Sequence, residues 1–172
     1  MKKILLTLAV IGVAAFSSVA QTTTAPAPAN GGSKLNIGIE GGLPLGDASN
    51  GYTVIIGGSI KYEVPTGKNT FFTVSAGYNS FLANNELKEF GLGSEGFIPV
   101  KAGLKYYSDE GFFIEGQLGV VFSTESGGGH AFAYSPGIGY TLKGGFEVGF
   151  RYEGWVNDGT VSQLGLRLGY RF

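Results

Sequence analysis

Leu164-Gly165-Leu166-Arg167-Leu168-Gly169-Tyr170-Arg171-Phe172 closes the chain. Apolar side chains hold the even positions, and glycine or arginine hold the odd ones. That is the two-residue period of a β-strand with one apolar and one polar face. Reading back towards the N-terminus, the same alternation returns seven more times, in runs of roughly ten residues. Leu35, Ile37, Ile39 and Leu43 mark the first run, and Tyr52, Val54, Ile56, Ile60, Tyr62 and Val64 the second. Phe72, Val74, Ala76, Tyr78 and Leu82 make the third, and Ile98, Val100, Ala102, Leu104 and Tyr106 the fourth. Phe112, Ile114, Leu118, Val120 and Phe122 follow, then Phe132, Tyr134, Ile138, Tyr140 and Leu142, then Phe146, Val148, Phe150 and Tyr152. From the second run to the chain end every residue named is even-numbered, which predicts strands that keep their register without a slip.

The connections alternate in kind. Pro65 to Asn69, Ser108 to Gly111 and Lys143 to Gly145 are tight, with the turn residues of β-hairpins. Gly46 to Gly51, Ala83 to Gly96, Ser123 to His130 and Val156 to Thr160 are mostly longer and more polar. Eight strands with hairpin connections predict an all-β, eight-stranded antiparallel up-and-down barrel over residues 34–172. Short turns at one end and longer loops at the other are the habit of transmembrane barrels, with both termini on the short-turn, periplasmic side.

Period alone does not say whether the apolar set faces a dry core or a surrounding lipid. A soluble lipocalin-like barrel has the same alternation in the opposite sense. Two features favour the outward sense. Aromatic residues of the apolar set fall in two bands: Tyr62, Phe72, Tyr106, Phe112, Tyr140, Phe146, Tyr170 and Phe172 at the turn ends, and Tyr52, Tyr78, Phe122, Phe132, Tyr134 and Tyr152 towards the loop ends. Aliphatic residues lie between, as expected where amphipathic rings sit at headgroup level. The opposite face carries Glu40, Lys61, Glu63, Lys101, Lys105, Glu115, Glu147, Arg151, Glu153, Arg167 and Arg171 among Gly, Ser and Thr. Five acids and six bases nearly cancel, which predicts a charge network inside a narrow lumen. Pairing across the 108–111 turn sets Glu115 between Lys101 and Lys105, and pairing the last two strands brings Arg167 near Glu147.

Composition agrees with a lipid-facing surface. Only 15% of the 172 residues are charged, 31 are glycine and 13% are aromatic, whereas a soluble domain carries about 25% charge. Residues 1–20 have the layout of an export signal: Lys2 and Lys3, an apolar run from Ile4 to Phe16, and small residues to Ala20. Cleavage after Ala20 would remove two of the 12 basic residues and leave 10 against 13 acidic ones, a net charge of −3. Nucleic acid is not implied. With no cysteine, disulfides, a lipid-modified cysteine and thiolate metal sites are excluded. Gln21 to Ser33, rich in Thr, Ala, Pro and Gly, reads as a flexible periplasmic lead-in.

Leu164, Leu166, Leu168, Tyr170 and the terminal Phe172 resemble the carboxy-terminal assembly signal of bacterial outer-membrane barrels. Over residues 34–172 the pattern is similar to the small eight-stranded outer-membrane barrel family that includes outer-membrane protein X, opacity-type barrels and the barrel-only proteins of Bacteroidetes. The resemblance implies a monomer in the outer membrane of a Gram-negative cell, in contact with lipid and lipopolysaccharide, inserted by the barrel-assembly machinery. These loops are shorter than those of adhesion-type members, so a large binding surface is not expected.

Little points to catalysis. Some small barrels of this kind modify lipid A with His, Ser and an acid, which directs attention to His130 and its neighbours Ser123, Glu125, Ser126 and Ser135. A triad needs a base held against its nucleophile by a third group. His130 follows Gly127-Gly128-Gly129, and Ser135, five residues on, falls on the opposite strand face. No enzyme, cofactor or metal site is therefore expected. Trp155 reads as an interfacial anchor near the outer rim. The expected role is structural or surface-interacting, with a lipid A enzyme and a narrow pore for small solutes as the alternatives.

Overall fold

A computed structural model describes residues 32–172 apart from 86–88, 90, 92 and 110; the expected export signal and most of the lead-in lie outside the described residues. Eight strands follow one another: β1 (Lys34–Leu45), β2 (Tyr52–Pro65), β3 (Thr70–Ala83), β4 (Glu95–Asp109), β5 (Phe112–Ser123), β6 (His130–Thr141), β7 (Phe146–Val156) and β8 (Thr160–Arg171). A single helical turn, α1 (Ala48–Gly51), joins β1 to β2. Each strand pairs antiparallel with its sequence neighbours, and β1 pairs with β8 from Asn36↔Arg171 to Leu45↔Ser162, so the sheet closes on itself. Closure leaves no edge strand.

Turn chemistry sets the hairpins. Between β6 and β7, Gly144 and Gly145 adopt φ of 95° and 92° while the Leu142 amide donates to the Phe146 carbonyl at 2.7 Å. Two successive positive φ angles give the turn a twist that matches the strands, and L side chains rarely adopt them. At the barrel seam the Phe172 amide donates to the Leu35 carbonyl at 2.8 Å, which ties the two ends of the barrel chain together.

The apolar set faces outward. Ile39, Leu43, Leu118, Phe146 and Phe150 are each about 60% exposed or more, and the buried class is mostly polar and charged. A water-soluble fold draws its stability from burying apolar area at roughly 25 cal/mol per Å². Here most of the large aliphatic side chains are outside, so the lipocalin-like sense is excluded.

Register departs from strict alternation in two places. In β2 the partner of Tyr52 is Ala83 and that of Val54 is Leu82, so two steps on β2 oppose one on β3. This bulge turns Tyr52 inward against Phe81, with ring centroids 5.5 Å apart. Tyr52 therefore does not belong to the outer aromatic band in which the alternation placed it. A second shift lies between Tyr107 and Asp109, beside the β4–β5 turn. Bulges at strand ends add a residue without disturbing the alternation beyond it, which is why the pattern hides them.

Candidate functional site

All eleven charged residues of the polar face point into the lumen and pair there. Arg171 Nε lies 2.8 Å from Glu63 Oε2, and Glu63 Oε1 lies 2.9 Å from Lys105 Nζ. Lys105 also pairs with Glu147, whose other oxygen lies 3.5 Å from Arg167 and 3.4 Å from Lys61. Arg167 reaches Glu40 at 3.5 Å, Glu40 pairs with Arg151 at 2.5 Å, Arg151 with Glu153 at 2.9 Å, and Glu153 with Lys101 at 2.6 Å. Glu115 hangs from Lys61 at 2.7 Å. The sign alternates at every step, so one connected column of charge runs along the barrel axis.

Neighbouring polar groups complete it. Arg167 Nη1 donates to Asn36 Oδ1 at 2.7 Å and its Nε to Ser59 Oγ at 3.0 Å, while Ser59 Oγ donates to Glu40 at 2.6 Å. Gln117 donates to Thr73 and Ser75, each at 3.2 Å. Buried charges are tolerable when they are paired and hydrogen-bonded, and costly otherwise.

The pairing expected from cross-strand register holds only in part. Arg167 does meet Glu147. Glu115 stands opposite Lys105 in the ladder, yet its ion pair is with Lys61 on β2, while Lys101 pairs with Glu153 on β7. In an eight-stranded barrel the far wall is within reach of a lysine or glutamate side chain, so partners across the lumen compete with partners on the next strand.

Aromatic residues close both ends of the column, and the sequence reading missed them because they sit on the polar face. At the turn end Phe71, Tyr107 and Phe113 pack edge to face, with centroids 5.7 Å apart for Phe71 and Tyr107 and 5.6 Å for Tyr107 and Phe113. Lys105 Nζ lies 4.0 Å from the Phe113 centroid and Arg171 Cζ 4.8 Å from that of Phe71, so cations seat directly on the rings. At the loop end Ile55, Phe81, Val121, Ala133 and Trp155 are buried together, with Tyr52 and Phe97 against them. Trp155 is 4% exposed, its centroid is 5.1 Å from Phe81 and 5.0 Å from Phe97, and its Nε1 donates to Glu153 at 2.7 Å. It is a lumen plug and not an interfacial anchor; its odd number, on the face that carries the charges, was the available signal. Space for these rings comes from glycine: a Cβ at Gly139 would collide with the Phe113 ring.

Between the plugs remains a cavity of about 30 Å³ lined by Lys61, Lys101, Glu115, Ser135, Arg151 and Arg167 among others. That is room for about two waters. His130 is exposed at the start of β6, its ring 6.5 Å from Phe122, whereas Ser135 is 3% exposed inside the lumen. Ser123 Oγ accepts the Glu125 amide at 3.2 Å. These groups form no triad. Among the described residues no three metal-ligating side chains cluster. Leu164, Leu166 and Leu168 lie exposed on the outer face of β8, with Tyr170 packed edge to face against Phe146 and Phe172 at 5.1 and 4.8 Å.

No protein-family model and no curated protein matches the chain. Solved structures do. The attachment invasion locus protein Ail of Yersinia pestis is 22% identical, with a TM-score of 0.58 over 81% of this chain and 97% of that one. A second Ail structure, in complex with the heparin analogue sucrose octasulfate, is 22% identical, with a TM-score of 0.55 over the same shares. The N-terminal β-barrel domain of Pseudomonas aeruginosa OprF is 12% identical, with a TM-score of 0.57 over 81% of this chain and 97% of that one. At such identities the likeness establishes the fold: an eight-stranded barrel of the outer-membrane type.

Proposed function

We propose that the chain is an integral outer-membrane barrel with a non-conducting lumen, acting as a rigid membrane body that presents short acidic loops to the outside. Its outward apolar face supports the location. Strands of 11 to 15 residues match or exceed the ~9–11 that cross a bilayer when tilted, and in lipid only a closed sheet satisfies every strand. The column of alternating charge between two aromatic plugs carries the non-conducting reading. A channel needs unpaired like charge and continuous water; the paired charges and the ring clusters at both ends, among the described residues, support a lumen without them.

We infer the surroundings as part of the same reading. Acyl chains and lipopolysaccharide cover the band between the aromatic rows, the barrel-assembly machinery reads Leu164 to Phe172 during insertion, and the barrel works as a monomer without catalytic function. The loops set the kind of partner. Segments 46–51, 84–94, 124–129 and 157–159 contain Asp47, Glu86, Glu89, Glu125 and Asp158 against one Lys88. Such a surface repels polyanions, so the sulfated ligand bound by Ail is not expected here.

Reconstitution into planar bilayers tests the reading. The protein is expected to require detergent, to shift its gel mobility on heating, and to give no discrete conductance steps. Steady single-channel openings would instead establish the pore. Release of acyl chains from labelled lipid A, abolished by His130→Ala, would establish the enzyme.

A further inference from the structure

Six of the eight ladders are continuous, apart from the bulges near strand ends. The other two are interrupted in mid-strand. Between β3 and β4, Ala76↔Val100 is followed by Asn79↔Phe97; between β6 and β7, Tyr134↔Gly154 is followed by Gly137↔Arg151. Register is the same on both sides of each gap, so nothing is inserted and two rungs are simply absent. Each gap holds a proline. Pro99 keeps its partner Val121 and Pro136 its partner Gly116, both on β5, so the edge that lacks an N–H faces the gap.

Outside, beside each gap, a tyrosine ring lies over a glycine of the flanking paired rungs, Ser80↔Gly96 at the first and Tyr134↔Gly154 at the second. Tyr78, within the first gap on β3, lies over Gly96 of β4, where an added Cβ would come 3.0 Å from the ring Cζ. Tyr134, beside the second gap on β6, lies over Gly154 of β7, where a Cβ would come 2.6 Å from Cε1. Tyr152, inside that gap, stands with its centroid 6.0 Å from Tyr134 and donates its hydroxyl to Ser162 Oγ on β8 at 2.8 Å. An aromatic ring laid across a bare glycine replaces lost pairing with surface contact. Inside, the small lumen cavity touches both gaps, with Gly77 and Pro99 at one and Ser135 and Gly137 at the other. Glu115 Oε1, on the strand midway between them, has no protein partner.

We propose that β3/β4 and β6/β7 are strapped lateral seams, the two places where the wall opens sideways and admits water to the central cavity, with Tyr78 and Tyr134 as the straps. The panel β4–β5–β6 is joined to the rest of the sheet by these two weak ladders. Its remaining ties are side-chain contacts: the ion pairs of Lys101 to Glu153, Lys105 to Glu63 and Glu147, and Glu115 to Lys61, the hydrogen bonds of Gln117 to Thr73 and Ser75, and the ring contacts of the two plugs. Opening is local because register is fixed above and below each gap. The straps face lipid only if the barrel spans a membrane, so this inference rests on that reading.

Hydrogen exchange on the folded protein in lipid discs tests it. Amides of Gly77 and Tyr152, whose N–H groups point across the gaps, are expected to exchange faster than those of the unbroken β1/β8 ladder. Tyr78→Ala and Tyr134→Ala each raise exchange about fivefold at their own seam alone, as for loss of one aromatic contact. The ring-preserving Tyr→Phe variants do so little, and Pro99→Ala slows the first seam. The chain has no cysteine, so Ser135→Cys can report entry of a small water-soluble thiol reagent, faster when Tyr134→Ala is added. Gap amides as slow as those of β1/β8, or straps whose removal changes nothing in a folded barrel, would overturn the seams. A chain that folds without detergent would overturn the membrane reading instead.

Discussion

Glu147 is the branch point of the charge column, and its replacement by glutamine is the most informative single change. The carboxylate is 3% exposed and faces three cations: Lys105, Lys61 at 3.4 Å and Arg167 at 3.5 Å. Glu147→Gln keeps the shape, removes one of five negative charges against six positive ones, and turns an amide NH₂ towards a lysine. Breaking a buried ion pair from one side costs about 3 to 5 kcal/mol. Lys105 retains Glu63 at 2.9 Å, Lys61 retains Glu115 at 2.7 Å and Arg167 retains Glu40 at 3.5 Å. The lower end applies, about 3 kcal/mol. Glu115→Gln, at the tip of a branch, loses one charged hydrogen bond and costs about 1.5 kcal/mol. Urea unfolding of protein in lipid vesicles reads both, because Trp155 is the sole tryptophan and lies in the loop-end plug. Adding Lys105→Met to Glu147→Gln recovers part of the loss, since Glu63 still has Arg171 at 2.8 Å. If Glu147→Gln and Glu115→Gln shift the unfolding midpoint equally, the column is a set of independent pairs and the branch-point reasoning is wrong.

Three further outcomes are expected. Leu166→Arg, on the outer face between Phe150 and Gly41 in the ladders, costs about 2 to 4 kcal/mol at mid-bilayer in the same unfolding assay, whereas Ser126→Arg in an outer loop changes it little. Trp155→Ala empties the loop-end plug and costs about 3 to 5 kcal/mol, measured through tyrosine fluorescence or circular dichroism. Gly139→Val puts side-chain atoms where the Phe113 ring lies, so refolding yield measured by the heat-dependent gel shift falls sharply, while Gly159→Val in an outer loop leaves it unchanged.

How much could be read without coordinates differs from feature to feature. Strand number, sense and closing partner were legible because an alternating pattern with a strand-ending Phe172 admits few arrangements. The eleven lumen charges were legible for the same reason, since a register of period two assigns every charge to one face. Tyr52 was misplaced because a bulge inverts facing over a single residue, and Trp155 because tryptophan was assumed to seek the interface. Phe71, Phe81, Phe97, Tyr107 and Phe113 were all visible as odd-numbered aromatics, but with charges dominating that face their joint role as plugs had no local signature.

The sequence by itself determined which side of each strand meets the surroundings, because that depends on alternation, a property of neighbours along the chain. Only the tertiary structure decided which charge answers which, where the rings gather and which seams lack rungs. Those depend on distances across a closed lumen, where residues on β1, β2, β4, β7 and β8 that are 42 to 111 positions apart come within hydrogen-bonding reach.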